Sequence, residues 1–188
     1  MRSRVLTGIA LVVGLVLLSR VGTAAAQFPE PKPGPEHKSL EPLVGKFKAT
    51  VKMWLEPGKD PMTSEGTTTR KLIMNGLFLH EDFDGKFGGS TFTGMGIMGY
   101  DTMQKKYTGT WIDSMSTGYM AMEGTYDAKT KTFSMTMDDI DMATGKKVKM
   151  RDTLRIVDND TQLQQFFRPG EGGKEMKVME IEYKRIKK

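Results

Sequence analysis

The stretch GMGIMGYDTMQKKYTGTWIDSMSTGYMAMEGTYD, residues 94–127, decides the fold of this chain. It contains three segments in which apolar and polar residues roughly alternate, separated by residues typical of turns. The first segment ends in Gly99-Tyr100-Asp101, the second holds Trp111-Ile112-Asp113, and the third holds Met120 and Met122. Alternation with a period of two is the pattern of half-buried β-strands. The stretch therefore predicts three consecutive strands joined by tight turns.

The same pattern repeats on both sides of this stretch. Upstream, the acidic start and apolar side of residues 36–43 indicate one short helix, which Pro42 limits to a turn or two. Strands are predicted over about 45–55, 64–74, 77–83, 91–100, 107–113, 118–126, 133–137, 148–156, 162–167 and 178–184. Asn75-Gly76 is the strongest two-residue hairpin signal. No connection is long enough for a crossover helix, so the pattern favours antiparallel pairing in meander order.

About ten successive strands with an apolar face have two solutions: an up-and-down barrel or a two-layer sandwich. Closure into a barrel removes exposed strand edges. Several glycines within the strands suit the coiling that closure requires, at positions 94, 96, 99, 109, 118 and 124. We therefore predict an all-β antiparallel barrel with the short N-terminal helix against one end.

The N-terminus has the three-part layout of a secretory signal. Arg2 and Arg4 precede an apolar stretch over 5–18, and small residues at 24–26 supply a cleavage point before Gln27. A membrane anchor is the alternative, but the apolar run is shorter than the ~20 residues that a spanning helix needs. We predict a signal peptide over 1–26, a Pro-rich leader over 27–35 and a single barrel domain over 36–188. The mature protein would be periplasmic or extracellular, with no membrane span.

Composition excludes several classes of protein. The chain has no cysteine, which excludes disulfides, thiol catalysis and thiolate metal sites. The net charge is +5, and three of the basic residues, Arg2, Arg4 and Arg20, belong to the predicted signal. The remainder has 25 basic against 23 acidic residues, interspersed along the strands. Nucleic-acid binding needs a concentrated basic face, so this distribution argues against it.

Six phrases in order resemble the bacterial domain-of-unknown-function 1579 family. They are PGPEHKSLEPLVGKF (33–47), the PG-x-x-P turn with SEGTT (57–68), GYD (99–101), WIDSMSTG (111–118), EGTYDAKTK (123–131) and GGKEMKVMEIEYKR (172–185). The resemblance implies an exported, lipocalin-like or calycin-like barrel, and it implies no reaction. The family often has G-x-W where this chain has Gly45-Lys46-Phe47; we expect Phe47 to fill a barrel end in its place.

The chain has two histidines, His37 on the short helix and His80 in the third strand. His37 could cap the helix, contact a ligand or bind a metal. His80 could face either way, and a haem-binding barrel would need such a histidine pointing inward. A zinc site would need both histidines to meet a carboxylate in space. There is no G-x-S-x-G motif, so a hydrolytic triad has no local signature.

Methionine is the unusual residue of this chain. Pairs at M-x-M spacing, Met120/Met122 and Met135/Met137, place two thioethers on one strand face. One interpretation is a site for copper(I), which thioethers select. The other is core and cavity lining by a flexible apolar residue, which the periodicity favours. The acidic run Asp138–Asp141 lacks the spaced loop of a calcium site and is interpreted as a solvated turn.

The leading hypothesis is a barrel that binds a small apolar or amphipathic molecule in its interior. Arg70, His80 or Arg151 could orient that molecule. The candidate ligand-binding residues are His37, His80, Tyr100, Trp111, Met120, Met122 and Tyr126. Two alternatives stay open: an envelope enzyme using His37 or His80 with a carboxylate, and a structural or interaction module with a filled barrel. No motif indicates a cofactor or a metal, and the patterns favour no particular ligand or oligomeric state.

Overall fold

The computed structural model describes residues 30–140 and 145–187, which form a closed antiparallel barrel of ten strands. A single helical turn, α1 (Pro35–Lys38), and a 3-10 helix (Glu41–Leu43) precede the first strand. The strands are β1 (Gly45–Met53), β2 (Met62–Ile73), β3 (Phe78–Phe87), β4 (Ser90–Asp101), β5 (Lys106–Asp113), β6 (Met120–Asp127), β7 (Thr132–Ile140), β8 (Lys147–Ile156), β9 (Thr161–Pro169) and β10 (Glu175–Arg185).

Each strand pairs with its neighbour in sequence, and β1 pairs with β10 to close the barrel. The closing register runs from Phe47 opposite Arg185 to Met53 opposite Met179. The predicted meander and the choice of a barrel over a sandwich are both confirmed. Closure leaves no strand of the described barrel with an unpaired edge, which is the usual reason for an antiparallel sheet to close.

The alternation of side chains separates the barrel interior from its outer face. On β1, Phe47 and Ala49 point inward and are fully buried, whereas Lys46 and Lys48 lie outside. The registers carry this inward set around the sheet: Phe47 lies opposite Thr68, and Thr68 lies opposite Phe83. Because the side-chain period of a strand is two, these pairings assign an inner or outer position to every strand residue.

The helical segment before β1 closes one end of the barrel. Leu40 and Leu43 are fully buried beside Phe47, which fills the barrel end as expected. Arg185 at the end of β10 holds this segment in place, donating hydrogen bonds to Val44 O (2.6 Å) and Pro42 O (3.1 Å). The predicted helix over 36–43 is divided into two pieces, because Pro42 has no N–H to continue an α-helical ladder. We call this end the capped end.

The connection between β2 and β3 turns at Asn75-Gly76, the position that the sequence predicted. Both residues adopt positive φ, and Leu77 N donates a hydrogen bond to Met74 O at 3.2 Å across them. The difference from the prediction is small: regular strand pairing starts at Ile73 opposite Phe78, because Met74 also has a positive φ and leaves the extended conformation.

Several predictions concern residues outside those described. The predicted signal peptide and the start of the Pro-rich leader fall within residues 1–29, and Asp141 and Met142 fall within 141–144. In the described part of the chain, no helix has the length and apolar character needed to cross a membrane.

Candidate ligand-binding cavity

The barrel interior holds a cavity of about 400 Å³. It extends from the middle of the barrel toward the end opposite the capped end, where Met53, Phe87 and Asp113 end their strands. Its lining is mostly apolar and includes eight methionines: Met53, Met98, Met115, Met120, Met122, Met135, Met150 and Met179. Methionine is unbranched and flexible, so a wall built from it can adapt to ligands of different shape.

Three methionines stand side by side across neighbouring strands, and two of them, Met122 and Met150, line the cavity. Met122 on β6 lies opposite Met137 on β7, which lies opposite Met150 on β8. Side chains directly opposite each other on one face of a sheet are in contact range. The M-x-M pairs of the sequence therefore belong to one continuous thioether surface, and Met120, Met122 and Met135 line the cavity.

Trp111 forms part of the cavity wall and is held in one orientation. Its ring lies over Gly94 and Gly96 of β4, where a side chain in place of either glycine would contact the indole. The indole Nε1 donates a hydrogen bond to Asp113 Oδ2 at 3.0 Å. The two glycines thus provide the space that the indole occupies against the sheet.

A cluster of polar side chains lines the part of the cavity that is nearest the capped end. Arg70 is almost fully buried; its Nη2 donates to Glu81 Oε1 (2.9 Å) and its Nη1 to Gln162 Oε1 (2.6 Å). Thr68 donates to the same Glu81 oxygen at 2.7 Å. The guanidinium also lies 4.3 Å from the centre of the Tyr183 ring. Burial is the largest single influence on the pKa of Arg70 and lowers it, but the interactions with Glu81 and Tyr183 together outweigh burial, and the pKa is raised overall.

A second chain of hydrogen bonds leads to Asp152 on β8. The Tyr183 hydroxyl donates to Gln164 Oε1 at 2.8 Å, and Gln164 Nε2 donates to Asp152 Oδ2 at 2.8 Å. Asp152 is 3% exposed. Burial raises its pKa to about 7, against the opposing effect of the Gln164 hydrogen bond. Burial likewise raises the pKa of Tyr183, so its hydroxyl remains protonated and serves as a donor.

The structure separates the seven candidate ligand-binding residues into three groups. Trp111, Met120 and Met122 line the cavity. The other four do not line it: His80 lies on the outer face, between the inward Leu79 and Glu81, and the rest pack at the capped end. That last group consists of His37, Tyr100 and Tyr126.

The buried contacts of the capped-end group account for their positions. His37 Nδ1 accepts a hydrogen bond from Gly34 N at 3.0 Å, so His37 caps the N-terminus of α1. Its ring meets Tyr100 edge-on, with ring centres 6.0 Å apart. Tyr126 packs on Phe133 at 4.5 Å. Tyr107 ties the cap to the sheet by donating to Glu36 O at 2.9 Å. These contacts form a structural floor beneath the cavity.

The positions of the histidines bear on the alternatives considered above. His80 Nδ1 lies 3.4 Å from Asp82 Oδ2 on the outer face, whereas His37 is buried beneath the barrel. The two are thus not brought together on a common carboxylate, and neither points into the cavity as a haem ligand would. Within residues 30–140 and 145–187, no group of three histidine or carboxylate side chains is arranged to hold a metal ion.

The structure also gives the positions of three charged residues that the sequence analysis considered: Arg70, Arg151 and Asp138. Arg70 points inward, whereas Arg151 lies outside, where it donates to Glu175 at 2.8 and 2.6 Å. Asp138 pairs with Lys149 on the surface at 2.7 Å.

Sequence reasoning missed six residues of the polar cluster and of the hydrogen-bond chain to Asp152: Thr68, Glu81, Asp152, Gln162, Gln164 and Tyr183. One signal could have revealed Asp152. It occupies the inward position between Met150 and Leu154 on β8, where alternation predicts an apolar residue. A carboxylate in an otherwise apolar face breaks the local pattern, and such breaks mark functional sites in many proteins.

Comparisons with known proteins agree on the fold. The crystal structure of Rv2717c from M. tuberculosis is 14% identical, with a TM-score of 0.59 over 82% of this chain and 99% of that chain. The S-type phycobiliprotein lyase CPES from Guillardia theta is 10% identical, with a TM-score of 0.55 over 83% of this chain and 99% of that chain. Identities this low show the fold alone. A search of curated proteins found no match. The family described as "Protein of unknown function (DUF1579)" matches residues 32–185, and the chain therefore belongs to this family.

Proposed function

We propose that this protein is an exported binding protein that holds one small amphipathic molecule inside its barrel. The observation that carries the proposal is the cavity of about 400 Å³, with its methionine-rich wall and buried polar cluster. Ligand sites in proteins are typically concave, mostly apolar and supplied with a few convergent polar groups. Export rests on the signal-like N-terminus of the sequence.

The distribution of polar and apolar groups along the cavity supports an amphipathic ligand in particular. Met115, Met120 and Phe92 line the part toward the end opposite the capped end, where Lys86, Asp113 and Asp139 lie at the strand ends. Arg70, Glu81 and Asp152 line the part toward the capped end. A wholly apolar molecule would leave Asp152 Oδ1 and Arg70 Nε without a hydrogen-bond partner among the described residues, which costs free energy in a water-poor interior. An apolar tail with a polar head satisfies both parts.

The alternative of a solid, ligand-free module fits the interior less well, because small barrels without a ligand fill their interiors with side chains. The enzyme alternative relied on His37 or His80 with a carboxylate. Since neither histidine lines the cavity, the geometry offers no support for that chemistry within the described residues.

Two substitutions on the same strand test the proposal. Met98 and Met95 both lie on β4, but Met98 lines the cavity and Met95 is on the outer face. Met98→Trp should fill part of the cavity and weaken binding of the fluorescent apolar probe N-phenyl-1-naphthylamine by about tenfold or more. Met95→Trp should leave binding within about twofold. Fluorescence titration measures both affinities, and native mass spectrometry of the purified protein would show any co-purified organic molecule.

The proposal fails if the wild-type protein does not bind the probe, or if both variants weaken binding equally. Copper bound in a stoichiometric amount, with no organic mass and no probe binding, would instead support the thioether site for copper(I).

A further inference from the structure

In the part of the cavity nearest the capped end, one buried carboxylate oxygen has no hydrogen-bond partner among the described residues. Asp152 Oδ2 accepts the hydrogen bond from Gln164, but Asp152 Oδ1 has no hydrogen-bond partner among the described residues. Asp152 is nearly fully buried and lines the cavity. An unpaired buried acceptor is costly, so this oxygen is placed to accept a hydrogen bond from a molecule in the cavity.

The hydrogen bonds around Asp152 all run toward it. The Tyr183 hydroxyl donates to Gln164, and the Gln164 amide donates to Asp152. The Tyr183 hydroxyl and one N–H of Gln164 are used in that direction, so an incoming group meets acceptor capacity at the ionised Asp152. A ligand that itself carries only acceptors would find no complementary group at this oxygen when the carboxylate is ionised.

Arg70 resembles the anchor for an acidic ligand, but its charge is already paired. One terminal nitrogen bonds Glu81 and the other bonds Gln162, with the guanidinium face against Tyr183. Arg70 Nε has no hydrogen-bond partner among the described residues and can serve a neutral acceptor. Arg70, Glu81 and ionised Asp152 together carry one negative charge. A carboxylate ligand would add a third anion, whereas an ammonium would balance the cluster.

We propose that the cavity selects amphipathic molecules with a protonated amine head, which donates a hydrogen bond to Asp152 Oδ1 while the apolar tail lies among the methionines. This inference rests on the proposed function, since it names the class of ligand for the same cavity. A barrel with an unpaired arginine in its cavity would instead favour the carboxylate head of a fatty acid.

The electrostatics of the site give the inference a pH dependence. Burial holds the pKa of Asp152 at about 7, opposed by the Gln164 hydrogen bond, raised further by Glu81 and lowered by Arg70 and Arg151. An ammonium bound at Oδ1 favours the ionised carboxylate. Below pH 7 the amine must displace a proton from Asp152, so amine affinity should rise between pH 6 and pH 8. The amine itself remains charged over this range, because alkylammonium groups titrate near pH 10.

Three probes with the same ten-carbon tail test the head group: decylamine, 1-decanol and decanoic acid. Each would be titrated against the protein, purified after expression of the full chain and loaded with N-phenyl-1-naphthylamine. At pH 8 decylamine should displace the fluorescent probe about tenfold more tightly than decanoic acid, since one charge-assisted hydrogen bond is worth about a factor of ten or more. Its affinity should fall on going to pH 6.

Two asparagine variants complete the experiment. Asp152→Asn should weaken decylamine by about tenfold and leave 1-decanol within about twofold. Asp138→Asn removes a carboxylate from the outer face, where Asp138 pairs with Lys149, and should change none of the three affinities. Retained binding of the naphthylamine probe by Asp152→Asn shows that the variant is folded.

The outcomes distinguish this inference from the proposed function. Equal affinities for the three head groups, or tighter binding of decanoic acid, overturn the amine preference and leave the cavity as a general binding site. An unchanged amine preference in Asp152→Asn overturns the role of Asp152. If neither the naphthylamine nor any ten-carbon probe binds, both the inference and the proposed function are wrong. The comparison of probes on the wild-type protein does not depend on how the variant folds.

Discussion

At the scale of single residues, the interior of this barrel is defined by charged side chains in unusual places. Arg70 and Asp152 are both buried on strands whose other inward residues are mostly apolar or small. Arg70 is compensated by Glu81, Gln162 and the Tyr183 ring. Asp152 is compensated at one oxygen only. Burying an incompletely paired carboxylate lowers stability, and proteins commonly retain such groups where a ligand completes the pairing.

This incomplete pairing predicts an unusual dependence of stability on pH. The pKa of Asp152 is raised by burial from 3.8 to about 7, so the folded protein holds a proton that the unfolded chain has released. The stability contributed by this group is complete below about pH 4 and is lost as the pH rises through 7. Asparagine does not titrate, so Asp152→Asn has no such loss of stability with pH. Without added ligand, the free energy of unfolding of the variant should increase by about 1–3 kcal/mol relative to that of the wild-type protein on going from pH 5 to pH 8.

Urea denaturation at the two pH values measures this difference. Asp138→Asn is the matched control, because Lys149 keeps the pKa of the Asp138 carboxyl below its ordinary value and it stays ionised over the whole range. Its stability curve should run parallel to that of the wild-type protein. Parallel curves for Asp152→Asn as well would show that Asp152 does not titrate in this window.

At the scale of elements, glycines decide how closely neighbouring strands approach. Gly124 lies inside β6, and a side chain there would overlap the backbone carbonyl of Ser134 on β7. Gly118 precedes the same strand, and a Cβ added there would meet no other atom within 4 Å among the described residues. Both residues were expected to help the sheet coil, but only Gly124 is in close contact with a partner strand.

The two glycines predict opposite results for the same substitution. Gly124→Ala must push β6 and β7 apart and should lower the free energy of unfolding by about 1–3 kcal/mol or more. Gly118→Ala should change it by less than about 0.5 kcal/mol. Thermal and urea unfolding measure both effects. Equal stabilities would mean that the backbone relaxes around the new methyl group at no cost.

At the scale of the whole molecule, β10 completes the barrel and also supplies its core. It pairs with β1 on one side and β9 on the other, and its inward residues Ile181 and Tyr183 are buried. Sheet closure and core packing therefore depend on the same eleven residues, Glu175–Arg185. Pairing of this kind, between strands far apart in sequence, joins the first and last strands of the barrel in one cooperative unit.

Ending the chain at two positions tests this dependence. A chain that ends after Gly173 loses β10 and exposes the edges of β1 and β9, and we expect aggregation or an unfolded product. A chain that ends after Ile186 keeps β10 and the hydrogen bond from Ile186 N to Lys46 O, and it should fold as the full chain does. Size-exclusion chromatography and circular dichroism distinguish the results. A folded monomer lacking β10 would contradict the prediction.

The sequence by itself determined the ten strands, their meander order and the short helix at one end. These follow from a period of two, turn residues between short segments and the lack of room for crossovers. It also placed Trp111, Met120 and Met122 among the candidate ligand contacts, and the tertiary structure brings all three to the cavity wall. These properties depend on local patterns, which a linear sequence displays directly.

Only the tertiary structure decided which residues meet in the interior. A period of two divides a strand into two faces, but in a mixed strand such as β3 it does not say which face is inward. His80 therefore remained a candidate until the register placed Leu79 and Glu81 inside. The polar cluster gathers residues from β2, β3, β8, β9 and β10, far apart along the chain. Their meeting depends on strand register and barrel closure, which arise from packing of the whole sheet rather than from any one segment.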